Sequence, residues 1–198
     1  MRNILLSPLT AALLLAGQAG FAQETSSDST DDAGTEFNIG EQVPSDVGQP
    51  YIREEFGDWA LRCIRAPEGQ ADPCNLYQLL LNAEGVAVAE FNMFQLPPGG
   101  QAVAGANVVV PLETLLTQQL TIAVDGANSR RYPFTFCNRA GCVARLGFTQ
   151  AEVDQFKAGA KATVRIVPAA APDTEVVLDV SLSGFTAGYD STAETSGN

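Results

Sequence analysis

The chain contains no histidine and little positive charge: Lys and Arg total 11 against 23 Asp and Glu, a formal net charge of −12. Without histidine, the chain lacks the commonest general base, the commonest metal ligand and the usual partner of a serine or cysteine nucleophile. The shortage of Lys and Arg argues against nucleic acid, because phosphate binding needs clustered cations. It also argues against electrostatic docking on anionic lipid. We therefore expect no cofactor, no metal site and no nucleic-acid partner.

Long apolar segments are absent apart from one near the start of the chain. Leu5 to Ala16 follows Arg2, and Gly20-Phe21-Ala22 offers small residues at the positions that a signal peptidase reads. Ser7-Pro8 breaks the run, which is too short to span about 30 Å of hydrocarbon. We expect residues 1–22 to be a cleaved signal peptide, no transmembrane segment after its removal, and a periplasmic location. Display on the outer surface or secretion stays open.

The remaining chain divides into three segments. Residues 23–50 carry seven acidic residues and no Lys or Arg, so the segment cannot bury enough apolar surface to offset its chain entropy. It is predicted to be a disordered acidic tether, and a spacer fits it better than an interaction tail for a basic partner. Residues 51–190 have the size of one domain. Residues 191–198 are predicted to be a disordered polar tail.

Period-two alternation of apolar residues dominates this domain and predicts β-strands. Leu120, Ile122 and Val124 share one face of such a strand, and residues 176–182 repeat the pattern. Turn signals such as Asp125-Gly126 separate the strands. Many short strands with turns between them predict an all-β fold, as an antiparallel sandwich or barrel.

Two interruptions of this pattern are informative. Thr149 and Glu152 form a capping box that predicts one short helix, with Gly159 suited to the left-handed position past its end. Pro133 lies inside the alternating segment from Arg131 to Phe136, which reads as one strand. Because proline cannot donate to a ladder, this strand is expected at a sheet edge or bulged.

The four cysteines, Cys63, Cys74, Cys137 and Cys142, are expected to form structural disulfides, because an exported chain meets an oxidising compartment. Three connectivities are possible. Short, turn-rich loops favour the pairs Cys63–Cys74 and Cys137–Cys142. A zinc site or a redox-active motif fits the spacing less well, since close cysteine pairs of the required kind are absent.

Charged residues supply the remaining candidates for a site. Arg130, Arg131, Arg139 and Arg145 are the only basic concentration and form a candidate binding patch for a carboxylate-bearing partner, such as an acidic protein or glycan. The alternative is a set of solvated charges that protect strand edges.

Carboxylate pairs could supply acid–base chemistry without histidine. Glu54-Glu55 precede the first predicted strand, and Glu152 with Asp154 lie in the first turns of the predicted helix. These positions suit a solvated strand end and a helix cap better than catalysis. We therefore expect no catalytic residue and no enzyme.

Several motifs together resemble the invasion-associated locus B family of bacterial exported proteins. They are Gly57-Asp58-Trp59, the four cysteines in their order, Val124-Asp125-Gly126 and Ser181-Leu182-Ser183-Gly184-Phe185, and the likeness covers about residues 56–187. The resemblance implies an immunoglobulin-like β-sandwich in the periplasm or envelope of a Gram-negative bacterium. Members are linked to host-cell invasion in a pathogen, and no catalytic residues carry over.

The expected function is therefore that of a non-enzymatic envelope protein that binds an unidentified envelope protein or an acidic glycan. The alternative is a structural or stress-related periplasmic factor without a discrete ligand. A hydrolase that uses carboxylates alone fits the sequence least.

Overall fold

The computed structural model describes residues 40–42 and 46–194. The predicted signal peptide, most of the predicted tether and residues 195–198 of the predicted tail lie outside the described residues. The end of the tether differs from the prediction, because it is fastened to the domain. Gly48 donates its amide hydrogen to the carbonyl of Arg65 at 2.8 Å, and Asp46 pairs with the Arg65 guanidinium at 3.3 Å.

Antiparallel strands build two sheets from the described residues, as the alternation predicts. In chain order the strands are β1 (Pro50–Phe56), β2 (Trp59–Ile64), β3 (Cys74–Leu81), β4 (Ala87–Gln95), β5 (Ala104–Val110), β6 (Leu120–Val124), β7 (Ala127–Tyr132), β8 (Phe134–Asn138), β9 (Gly141–Phe148), β10 (Lys161–Ile166) and β11 (Val176–Ser181). The large sheet has seven strands in the order β1-β2-β3-β4-β5-β9-β8, and the small sheet has four in the order β11-β10-β6-β7. The all-β sandwich prediction is confirmed.

The hydrophobic core lies between the inner faces of the two sheets. Aromatic rings meet at its centre: Trp59 and Phe91 are 5.8 Å apart between centroids, edge to face, and Trp59 and Phe185 are 5.4 Å apart. Phe148 continues the cluster from the large sheet, while Leu178 reaches it from the small one. Burying side chains of this size contributes about 1.5–3 kcal/mol each, so the core rather than any surface pair holds the sheets together.

The predicted helix, α1 (Gln150–Ala158), begins at the capping box. The Thr149 amide donates to Glu152 at 2.8 Å, which satisfies one group left open at the helix start. Gly159 differs from the prediction, because its φ of −75° is extended rather than left-handed. A residue without a side chain is needed at this position for another reason, because a Cβ there would lie 2.7 Å from a methyl group of Val124.

A second helix, α2 (Phe185–Ser191), was not predicted, so the described fold has two helices instead of one. A short 3₁₀ turn, Thr192–Glu194, continues it. Thr192 is fully buried and donates its hydroxyl to the carbonyl of Tyr189 at 2.7 Å. The predicted tail therefore does not begin at residue 191, because the chain stays packed against the core as far as this turn.

Pro133 separates two strands that the alternation had joined into one. β7 is the last strand of the small sheet and β8 is the last strand of the large one, so the chain changes sheets at the proline. Both strands are sheet edges, as expected for a residue that cannot donate to a ladder. The prediction of a single strand from Arg131 to Phe136 was wrong, because the period-two pattern continues across the crossing.

Candidate binding site on the outer face of the large sheet

The four arginines of the predicted patch do not share one surface. Arg130 faces α1 and pairs with Glu152 at 2.5 Å. Arg131, the next residue of β7, faces the opposite way, because successive side chains of a strand alternate between its faces. Arg139 lies exposed in the turn between β8 and β9. Arg145 lies on the outer face of the large sheet, on β9.

Glu152 and Asp154 lie in the first turns of α1, as predicted, whereas Glu54 and Glu55 lie within β1 rather than before the first strand. Glu54 and Glu55 are exposed on the edge strand β1. Glu152 is occupied by the cap and by Arg130, and Asp154 accepts a hydrogen bond from Gln150 on the exposed side of α1. Glu152 also lines a cavity beside α1, but the volume of that cavity, about 20 Å³, is too small for a substrate.

The sheet places Arg145 at one end of a shallow groove of about 350 Å³, called here the outer groove. Side chains of six neighbouring strands line it: Arg62, Asn75, Glu90, Asn92, Phe94, Asn107, Val109, Phe136, Val143 and Arg145. Strand register explains the grouping. Asn92 of β4 stands opposite Asn107 of β5, which stands opposite Arg145 of β9, so the three side chains cross the sheet in one row.

The floor of the outer groove is a hydrogen-bonded set of amides. Asn92 is 8% exposed, and its Oδ1 accepts from Arg62 Nη2 at 2.5 Å and from Asn75 Nδ2 at 2.9 Å. Its Nδ2 donates to the backbone carbonyl of Asn107 at 3.4 Å. The asparagines are short, so the row forms a depression between longer side chains on either side.

Arg62 fixes one wall of the groove. Its guanidinium carbon lies 3.9 Å from the ring centroid of Tyr77, and its Nη1 and Nη2 both donate to Glu90 Oε2 at 3.3 Å. Burial raises the pKa of the Tyr77 hydroxyl, and the charge of Glu90 raises it further while that of Arg62 opposes the shift. Tyr77 therefore stays protonated at neutral pH. The Arg62 charge is already compensated by Glu90.

At the opposite end of the groove the cation is Arg145. Arg145 is exposed, and its guanidinium carbon lies 5.7 Å from the centroid of the Phe136 ring; no carboxylate within residues 46–194 pairs with it. Phe136 itself is 43% exposed. The adjacent Cys137–Cys142 disulfide ties β8 to β9 and so holds this ring beside Arg145.

The disulfides have the pairing that the short loops favoured. Cys63 is joined to Cys74 between β2 and β3, and Cys137 to Cys142 between β8 and β9. In each case the two cysteines stand opposite each other in the strand register. The described residues contain no free cysteine.

Two of the motifs that carry the family resemblance, Gly57-Asp58-Trp59 and the segment from Ser181 to Phe185, meet at one corner of the sandwich. Ser181 donates its hydroxyl to Asp58 Oδ2 at 2.6 Å, and its carbonyl accepts from Trp59 Nε1 at 2.7 Å. Gln78 bridges them: its Nε2 donates to the carbonyls of Asp58 and Ser181 at 3.1 Å, and its Oε1 accepts from the Ser181 amide at 2.9 Å. These bonds join the two sheets, so we assign the motifs a structural role.

Sequence reasoning found only Arg145 among the residues of the outer groove. The others carry a weak signal, since Asn75 of β3, and Glu90 and Asn92 of β4, occupy positions that alternate with apolar ones. That pattern indicates the outer face of each strand. It does not give the register, and only the register brings Asn107 and Arg145 into the same row.

Across residues 46–194, no three His, Cys, Asp or Glu side chains lie close enough to hold a metal ion. Neither of the helices described above has the length and hydrophobicity needed to cross a bilayer.

Comparison with known proteins points to one family. The family model described as Invasion associated locus B (IalB) protein matches residues 59–193. Among solved structures, the crystal structure of invasion associated protein b from Bartonella henselae is similar, with a TM-score of 0.60 and 23% identity. That similarity covers 71% of this chain and 94% of the Bartonella chain, and it supports the fold alone. No curated protein matches this chain.

Proposed function

Because the chain belongs to the invasion associated locus B family, we propose that it is a non-enzymatic binding protein of the periplasm or cell envelope. Its binding surface is the outer groove. The observation that carries this proposal is the uncompensated Arg145, beside an exposed Phe136 ring and at the end of a row of amides. Such a mixture of cation, aromatic ring and amide is typical of sites that recognise polar ligands.

The lack of a second carboxylate in the groove supports a binding role over hydrolysis. Among the described residues that line the groove, Glu90 is the one acidic residue, and Arg62 pairs with it. Glycoside hydrolysis commonly needs two carboxylates on opposite sides of the scissile bond. A single, ion-paired glutamate does not meet that requirement.

Two features support a location outside the cytosol. The start of the sequence has the layout of a secretory signal peptide. The two disulfides belong to an oxidising compartment, since cytosolic thiols are kept reduced. The periplasm is the compartment that fits both.

The proposal is tested with immobilised mature protein and detergent extracts of the bacterial envelope. Wild type should retain at least one component saturably, and Arg145→Glu should lose it, because charge reversal removes the groove's uncompensated cation. The matched control is Arg131→Glu, since Arg131 is also exposed but lies on the outer face of the small sheet.

The control variant should retain the component as wild type does. If no component is retained saturably, the protein acts as a structural factor without a discrete ligand. If Arg131→Glu loses the component and Arg145→Glu keeps it, binding uses the small sheet instead of the outer groove.

A further inference from the structure

The outer groove differs from a typical protein-binding surface in size and in chemistry. Its volume of about 350 Å³ lies in the range of small-ligand sites, about 300–1,000 Å³. A specific protein interface covers about 800 Å² on each partner and has an apolar centre. The centre of this groove is a row of asparagines, which a protein partner would have to cover with matching polar groups.

Each part of the groove matches a different part of an acidic sugar. The amides of Asn75 and Asn107 can both donate and accept, which suits hydroxyl groups that do the same. The exposed ring of Phe136 offers an apolar surface for the carbon-bound hydrogens of a sugar ring. Arg145 offers a planar donor fork of the kind that binds a carboxylate through two parallel hydrogen bonds.

We propose that the outer groove binds a carboxylate-bearing glycan, with the sugar's carboxylate on Arg145, its ring against Phe136 and its hydroxyls on the asparagine row. This inference rests on the proposed function and names the ligand class of the same site. Charge complementarity supports it, because Arg145 is the groove's uncompensated charge while Arg62 is neutralised by Glu90.

The charge of the whole chain limits the length of the ligand. The net charge of −12 repels long polyanions, whereas a single carboxylate beside Arg145 interacts at contact distance. At an ionic strength of about 0.1 M, charges more than about 10 Å apart are largely screened. A short acidic oligosaccharide or the acidic end of a glycan chain is therefore favoured over a densely charged polymer.

Calorimetric titration of the mature protein with trigalacturonate and with sialyllactose tests the inference. Methyl-esterified trigalacturonate and lactose are the matched neutral ligands. At least one acidic sugar should bind at least about tenfold more tightly than its neutral counterpart, since a hydrogen bond to a charged group is worth about that factor or more. Arg145→Gln should remove this preference, and Arg131→Gln should leave it unchanged.

The results separate this inference from the proposed function. Equal affinity for acidic and neutral sugars overturns recognition of the carboxylate. If neither acidic sugar binds while Arg145→Glu still loses its envelope component, the glycan assignment is wrong and the groove binds another class of ligand. If acidic sugars bind equally well to Arg145→Gln, the site of binding lies elsewhere.

Discussion

Gly184 has almost no room for a side chain. It precedes α2 with a φ of +82°, and a Cβ there would lie 1.9 Å from the carbonyl oxygen of Phe56. Gly57 faces the same contact from the other side, since its Cβ would lie 2.8 Å from the carbonyl oxygen of Ser183. The two glycines let two backbone segments touch where the motifs Gly57-Asp58-Trp59 and Ser181 to Phe185 meet.

This contact predicts that Gly184→Ala destabilises the protein far more than Gly126→Ala. Both glycines have positive φ, but a Cβ on Gly126 would meet nothing within 4 Å. Gly126→Ala should therefore carry only the conformational penalty of about 1–2 kcal/mol. Gly184→Ala adds a collision with backbone and should reach about 4 kcal/mol or more, measured as the free energy of unfolding in denaturant. Equal losses would contradict the close approach.

Among the strands and helices, the local sequence pattern predicted the type of an element better than its place in the fold. The Cys137–Cys142 pair, the capping box of α1 and the edge character of the chain at Pro133 all follow from nearest-neighbour chemistry. The boundary between β7 and β8 does not follow from local sequence. The period-two alternation of apolar residues continues unchanged where the chain passes from the small sheet to the large one. Helix α2 was missed because it contains Thr186, Gly188 and Asp190, which are weak helix formers. Tertiary contacts hold these residues in the helix.

The residues of the outer groove could likewise be predicted only in part from the sequence. The exposure of Arg145 could be expected, since charged residues on strands face solvent. Its separation from Arg130 and Arg131 depends on which sheet each strand joins, and its alignment with Asn107 depends on register. Both are long-range properties, for which residue spacing carries no information.

Each disulfide joins two neighbouring strands, and we predict different consequences for the removal of each one. Replacing both cysteines of either pair by alanine should lower the free energy of unfolding by about 2–3 kcal/mol, because the denatured chain gains loop entropy. Loss of Cys137–Cys142 should also weaken binding at the outer groove, since Phe136 and Arg145 lie on the two strands it joins.

Loss of Cys63–Cys74 should weaken binding at the outer groove less than loss of Cys137–Cys142 does. Denaturant titration gives the stabilities, and the binding assays above give the affinities. An unchanged thermal midpoint in wild-type protein with all thiols confirmed reduced would contradict a stabilising role for both bridges.

At the scale of the whole molecule, buried tyrosines link stability to alkaline pH. Burial raises the pKa of Tyr189, and the charge of Asp190 adds to the shift. Burial also raises the pKa of Tyr132, with Glu152 adding and Arg130 opposing. A raised folded-state pKa contributes stability that is complete below the unfolded value of about 10 and is lost as the pH rises through the folded value.

We therefore predict that the thermal midpoint falls as the pH rises above about 10. Tyr189→Phe keeps the ring stacked on Phe185 at 5.7 Å and removes the ionising hydroxyl, so it should flatten this decline. The measurement is a series of thermal unfolding curves for both proteins across the alkaline range. An identical decline in the variant would show that Tyr189 does not contribute to it.

The order of the disulfides along the chain has a consequence for how the protein is made. Each bridge joins cysteines that follow one another in sequence, 11 and 5 positions apart, with no interleaving. A polypeptide that emerges from a translocon with its amino end leading presents each cysteine's correct partner as the next one to arrive. If the chain is exported as proposed, oxidation during export yields the native connectivity directly. Biogenesis of this protein should require a thiol oxidase and tolerate the loss of a disulfide isomerase.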